Sequence, residues 1–227
     1  MASVRPEFVN GVPGPRPKTL RNSDLQIVRD DLSGLLSHDL KTPLAAIAMN
    51  LDFALAELDP HTSEGVRSAL DDCRHANTRA IRIVTDMADA VRLAVGDKRA
   101  VLADVALAAV IRAVAEHASD EAASRGVRVC WTADETVVRG DIDLLSRALD
   151  RLLERALRHA RCGSRIDVEQ RAAGIAICVE TMSDGIGEPS GRTLATYFAE
   201  AAIRAQGGGL WTEPHEGSLV FRVSLPR

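Results

Sequence analysis

Residues 23–58 read SDLQIVRDDLSGLLSHDLKTPLAAIAMNLDFALAEL. Leucine, isoleucine or valine recurs through most of this stretch at intervals of three or four residues, the spacing of one apolar face of an α-helix. Asp59-Pro60 marks its end. The pattern predicts one helix about 50 Å long at ~1.5 Å per residue, with Pro43 expected to bend it because proline removes a backbone donor.

A second apolar repeat begins near Ser63 and continues to Val95, where Gly96 and Asp97 end it. Two long helices joined by a short turn form an antiparallel hairpin. Each helix carries a wide apolar stripe, and a lone hairpin covers only one side of it. We therefore expect the hairpin to pair with a second copy as a dimeric four-helix bundle, so that the chain is a homodimer.

The remaining sequence alternates between helical and strand-like segments. The expected fold class is an α + α/β sandwich, in which a mostly antiparallel sheet carries helices on one face. The expected helices are 104–124, 141–160 (capped by Asp141) and 193–206, and the expected strands are 127–132, 136–138, 165–171, 174–181, 209–213 and 218–225. The predicted domains are a disordered, proline-rich leader (1–21), the hairpin (22–96) and the sandwich (97–227).

Composition excludes several classes of function. The 227 residues carry a formal net charge of -4 and only 3% aromatic side chains, which argues against a nucleic-acid partner. No apolar run has the length of a membrane span, and no signal-peptide core is present. The four cysteines are widely spaced, which argues against a zinc site. We expect a cytoplasmic protein without a membrane or nucleic-acid partner.

The chemistry is concentrated in SHDLKTPL, residues 37–44. The neutral imidazole of His38 is a nucleophile able to take a phosphoryl group. The Asp39 carboxylate can bond one ring nitrogen and raise the basicity of the other. Lys41 supplies positive charge for a phosphoryl group, and Thr42, one turn after His38, can orient a water molecule. These four residues are the predicted site.

SHDLKTPL resembles the phosphoacceptor box of sensor histidine kinases. The resemblance covers residues 22–95 as their dimerisation and histidine-phosphotransfer domain. It continues through residues 100–227, where GDIDLLSRALDRLLERALRHA, GIAICVETMSDGIGEP and IRAQGGGLWTEPHEGSLVFRVSLP stand in the family's order. The resemblance implies that the sandwich is the ATP-binding domain of this family, in degenerate form.

Three departures from the family pattern concern the nucleotide. Arg151 and Arg155 occupy the places of the two asparagines that coordinate magnesium and phosphates, and arginine has donors only. Ser183 stands where an aspartate should read adenine. Residues 188–192 are too few for the family's lid and its second glycine turn. We therefore expect no cofactor: neither ATP nor magnesium binds.

The resulting hypothesis is a histidine phosphotransferase of a phosphorelay, a pseudokinase that exchanges phosphate between His38 and the aspartates of response-regulator receiver domains. The receiver would supply its own magnesium. Two alternatives stay open: a divergent but active sensor histidine autokinase, and a non-catalytic dimeric scaffold that binds or inhibits receivers or kinases.

Overall fold

The structure is a computed structural model that describes residues 40–59, 62–172, 174–180, 193–215 and 218–226. The predicted leader, the first half of the first predicted helix and most of the segment matched to the first glycine box lie outside these residues.

The hairpin consists of α1 (Lys41–Ala56) and α2 (Glu64–Val95). Helix α2 follows its sequence prediction closely and ends at Gly96, whose φ of 84° is a left-handed conformation that favours glycine. The side-chain amide of Asn77 in α2 donates to the carbonyl oxygen of Leu44 in α1 at 2.9 Å. This bond fixes which turns of the two helices face each other.

Pro43 lies in the first turn of α1 as the structure describes it, because that helix starts at Lys41. The first turn of a helix has backbone donors without intrahelical acceptors, so proline is tolerated there. The expected bend depends on the carbonyl of residue 39, which is outside the described residues, and it stays a prediction.

The sandwich follows the hairpin in the chain. Its elements are β1 (Ala103–Ala106), α3 (Leu107–Ser124), β2 (Arg128–Thr132), β3 (Val137–Gly140), α4 (Ile142–His159), β4 (Arg165–Arg171), β5 (Gly174–Glu180), α5 (Leu194–Ala205), β6 (Gly209–His215) and β7 (Ser218–Ser224). The main sheet has the strand order β2-β4-β5-β7-β6. Only β2 and β4 run parallel in it, and the other pairs are antiparallel, as expected.

One segment differs from the sequence prediction. Residues 103–106 form strand β1, which pairs with β3 in a separate two-stranded sheet, whereas the sequence pattern predicted a helix from Asp104. Pairing of β1 with β3 buries Val105 and Val138. The helix starts three residues later, at Leu107, whose backbone N–H donates to the carbonyl oxygen of Thr136.

The core lies on one face of the main sheet. In β4, Ile166 and Val168 are buried while Asp167 and Glu169 alternate with them on the opposite face, the period of a half-buried strand. Helices α3, α4 and α5 cover the buried face, and α5 also packs against α2. The hairpin and the sandwich therefore share a packed junction. No helix among the described residues is long and apolar enough to cross a bilayer.

Candidate functional site

Two of the four predicted site residues lie at the start of α1. Lys41 is half-buried and Thr42 is exposed in the first turn of that helix. His38 and Asp39 are outside the described residues, so their predicted roles stay predictions. Thr42 is two residues before Leu44, the residue that the amide of Asn77 holds.

Asn77 lies close to the predicted site, and the chemical reading of the sequence did not single it out. It is buried, with 7% of its surface exposed, and its bond to Leu44 anchors the first turn of α1 to α2. Buried polar groups are almost always hydrogen-bonded because an unmade bond is costly. The sequence feature that could have revealed this contact is the side-chain amide of Asn77 within the otherwise apolar face of α2.

The asparagine-box positions lie on α4, the helix that Asp141 caps as predicted. The Asp141 side chain accepts hydrogen bonds from the backbone N–H groups of Asp143 and Leu144. Arg151 and Arg155 are buried, with 8% and 6% of their surfaces exposed. Arginines that recur on one side of a helix are typical of a solvated face, but these two are buried instead.

Arginines of α4 bind carboxylates of α2 across the junction. Arg151 donates from Nε to Asp86 Oδ2 at 2.5 Å. Arg147 donates to Asp86 Oδ1 and to Asp89 Oδ2, both at 2.7 Å. Its guanidinium also lies 4.6 Å from the ring centre of Phe198 in α5, a cation–π contact. These bonds join the helix that carries the asparagine-box positions to the hairpin.

The junction perturbs the acidity of its charged groups. Burial alone would raise the pKa of Asp89, but hydrogen bonds from Lys98 and Arg147 outweigh burial and hold that pKa below its ordinary value. Burial would lower the pKa of Arg147, and its bonds to Asp86 and Asp89 raise it instead. Burial and the nearby Arg158 lower the pKa of Arg155.

Arg151 and Arg155 offer no ligand for magnesium at the asparagine-box positions. Guanidinium groups have no lone pair for a cation, and both carboxylate oxygens of Asp86 already accept hydrogen bonds from arginines. Within the described ranges no three His, Cys, Asp or Glu side chains are grouped to hold a metal ion. Ser183 and residues 188–192 are outside those ranges, so their predicted departures stay predictions.

The glycines at 207–209 follow the end of α5. Gly207 has a φ of 78°, and the Gly208 N–H donates to the carbonyl oxygen of Ile203, which is a helix C-cap geometry. A Cβ on Gly208 would lie 2.3 Å from the backbone oxygen of Ser224. The glycine therefore permits close packing of the turn on β7.

Comparison with known proteins supports this architecture. Residues 28–96 match the family model of the His Kinase A (phospho-acceptor) domain. Sensor protein DivL of Caulobacter vibrioides is 26% identical over 90% of this chain and 29% of its own length. Sensor-like histidine kinase SenX3 of Mycobacterium tuberculosis is 27% identical over 89% of this chain and 55% of its own length. The chain thus spans 29% to 55% of the length of these two relatives.

Two solved structures show the same fold. Histidine kinase AdeS of Acinetobacter baumannii superposes with a TM-score of 0.59 at 16% identity, over 83% of this chain and 97% of that one. Full-length ShkA in complex with AMPPNP gives a TM-score of 0.65 at 19% identity, over 87% of this chain and 46% of that one. The phosphoacceptor-domain match and the relatives agree: residues 28–96 belong to the His Kinase A (phospho-acceptor) domain family, and the chain is similar to sensor histidine kinases over about nine-tenths of its length.

Proposed function

We propose that this chain is a homodimeric histidine phosphotransferase that takes its phosphoryl group from a receiver aspartate and does not use ATP. The observation that carries the proposal is the contact between Arg151 and Asp86. A residue at an asparagine-box position is buried and bound to the phosphoacceptor hairpin. A guanidinium held there repels a divalent cation and offers it no ligand.

Exposed apolar side chains on the hairpin support the homodimer. None of the residues of α1 is buried. Ile47, Met49 and Phe53 of α1 have 46%, 74% and 66% of their surfaces exposed, and Val66 of α2 has 48% exposed. A helix with an uncovered apolar face needs a partner. The resemblance to the family's dimerisation domain implies that the partner of this apolar face is the hairpin of a second copy.

In the proposed reaction, one ring nitrogen of His38 attacks the phosphorus of a receiver's aspartyl phosphate. A P–N bond forms, the P–O bond to the aspartate breaks, and the aspartate leaves as a carboxylate. The second ring nitrogen keeps its proton, which Asp39 would hold by a hydrogen bond. Lys41 would offset phosphoryl charge, and Thr42 would position a water molecule for dephosphorylation. The reverse reaction loads a second receiver.

The relatives favour one other candidate function. SenX3 is named a sensor-like histidine kinase, and the AMPPNP in the ShkA complex is bound to ShkA. An autokinase that holds its nucleotide with unusual residues is therefore the competing proposal. The two proposals differ in the source of the phosphoryl group. Labelling with each phosphate donor in turn distinguishes them.

The test compares two phosphate donors on the same protein. Wild type and His38→Ala are incubated with γ-³²P-ATP and Mg²⁺, and separately with ³²P-loaded receiver domains from the same organism. We expect acid-labile label on wild type from at least one receiver, none from ATP, and none on His38→Ala. Label from ATP would establish the autokinase. Receiver binding without label in either protein would establish the scaffold.

A further inference from the structure

Helix α1 has little in its own sequence to fix its rotation about its axis. Residues 43–49 read PLAAIAM, so apolar side chains surround this part of the helix, and none of the residues of α1 is buried. The hydrophobic effect has no direction, so a helix that is apolar on all sides can turn against its neighbour with little change in contact. The direction in which its polar residues point therefore depends on a more specific contact.

The side-chain amide of Asn77 makes such a contact. Within the part of the chain that the structure describes, its bond to the Leu44 carbonyl oxygen, at 2.9 Å, is the one hydrogen bond that joins α1 to α2. Asn77 is buried, whereas Ala76 and Thr78 on either side of it are exposed. One polar group in an otherwise apolar helix interface selects one arrangement, because the others leave that group unpaired.

The bond acts on the turn of α1 that carries part of the predicted site. The Leu44 N–H donates to the carbonyl oxygen of Leu40 at 3.3 Å, and Pro43, just before it, has no N–H with which to add a second bond. Successive helix residues are about 100° apart, so Thr42 lies about 200° around the helix from Leu44. Leu44 is half-buried and Thr42 is exposed, as this arrangement requires.

We propose that Asn77 is a positioning residue for phosphotransfer, which holds α1 at the rotation that presents His38 and Thr42 to a receiver domain. This role rests on the proposed function. His38 comes four residues before Thr42, the spacing of about one helical turn. With the Leu44 side held against α2, the side that carries Thr42 faces outwards, where an aspartyl phosphate can approach in line. Asn77 acts only through the backbone of α1.

The variant Asn77→Leu separates positioning from stability. Leucine fills the same buried place without a donor, and replacing a buried polar group by an apolar one of similar size is less costly than truncating it. The urea midpoint of Asn77→Leu should lie above that of Asn77→Ala, while phosphotransfer slows in both. Thr78→Val is the matched control, because the Thr78 hydroxyl donates to the Arg74 carbonyl oxygen at 2.9 Å within α2 itself. It removes a similar bond that does not reach α1.

The rate of labelling at His38 is measured against the concentration of a ³²P-loaded receiver domain from the same organism. We expect the maximal rate to fall about 10- to 100-fold in Asn77→Leu, because misplaced groups lose in-line approach. The half-saturating receiver concentration should change by less than about two-fold, and Thr78→Val should behave like wild type. Phosphoramidate is a small donor that can reach an imidazole from several directions, so it should label wild type and Asn77→Leu at similar rates.

The outcomes distinguish this role from the proposed function. Equal maximal rates for wild type and Asn77→Leu would overturn the role of Asn77 and leave the proposed function standing. So would a loss that Thr78→Val shares, a change confined to the half-saturating concentration, or an equal loss of labelling by phosphoramidate. A wild type that takes no label from any receiver would overturn the proposed function and the role of Asn77 with it.

Discussion

Arg151 of α4 and Asp86 of α2 are 65 residues apart in the chain and lie 2.5 Å apart at Nε and Oδ2, both buried. A carboxylate and a guanidinium in such a position stabilise the fold only together, because either charge left alone would be buried without a partner. The junction between the hairpin and the sandwich therefore depends on this pair being intact.

Asp86→Asn should destabilise the protein strongly. It removes the charge that Arg151 and Arg147 both bind, and breaking a buried pair in this way costs about 3–5 kcal/mol. Urea unfolding followed by circular dichroism measures the free energy of unfolding. The matched control is Asp104→Asn, because Asp104 is in an exposed pair with Arg139 and its loss should cost less than about 1 kcal/mol. Equal effects of the two changes would contradict a buried junction pair.

Replacing both partners separates charge pairing from packing. The double variant Asp86→Leu/Arg151→Met should recover much of the stability that Asp86→Asn loses, because apolar residues of similar volume can replace a buried ion pair. Arg147 would still have Asp89 as a partner. A double variant no more stable than Asp86→Asn would show that Arg147 needs Asp86.

Stability should depend on pH through Asp89. Its pKa is lowered in the folded state, so its stabilisation is complete above the ordinary pKa of an aspartate, about 4, and is lost as pH falls through the lower folded value. Asp89→Asn should cost about 2 kcal/mol at pH 7, and the difference from wild type should shrink below pH ~4. Urea unfolding at a series of pH values measures it. If the difference in unfolding free energy between wild type and Asp89→Asn stays constant down to pH ~3, the stabilisation does not come from the Asp89 carboxylate.

Local sequence signals predicted most of the fold. The end of α2 at Gly96 and the cap of α4 at Asp141 depend on neighbours within one turn, and both were predicted. Strand β1 was missed because its apolar residues continue directly into α3, and only pairing with β3 shows them to be extended. Non-local pairing leaves little trace in a single segment.

The arginines of α4 likewise make non-local contacts that their own segment of sequence does not reveal. Their spacing on one side of a helix is typical of a solvated face, but Arg147 and Arg151 bind Asp86 and Asp89, about 60 positions earlier in the chain. The sequence did indicate that Arg151 and Arg155 replace the family's asparagines. It could not indicate that Arg151 binds the hairpin.

Asn77→Ala should loosen the start of α1. The change removes the donor to the Leu44 carbonyl and should cost about 1–2 kcal/mol of unfolding free energy. Hydrogen exchange measured by mass spectrometry should also speed up in peptides covering the first turns of α1. Asn50→Ala is the control, because Asn50 is an exposed asparagine of α1 itself. Faster exchange in the control to the same degree would contradict a specific anchor.

Phe53→Glu should weaken the proposed dimer. Phe53 is two-thirds exposed on α1, and a carboxylate at that place would be desolvated inside a four-helix bundle at a cost of several kcal/mol. Light scattering after size exclusion should show dimer for wild type and a shift towards monomer for the variant at equal concentration. Val101→Glu is the control, because Val101 is as apolar and 79% exposed but lies outside the hairpin. If wild type is monomeric, or if both variants dissociate alike, the apolar face of α1 does not form the dimer interface.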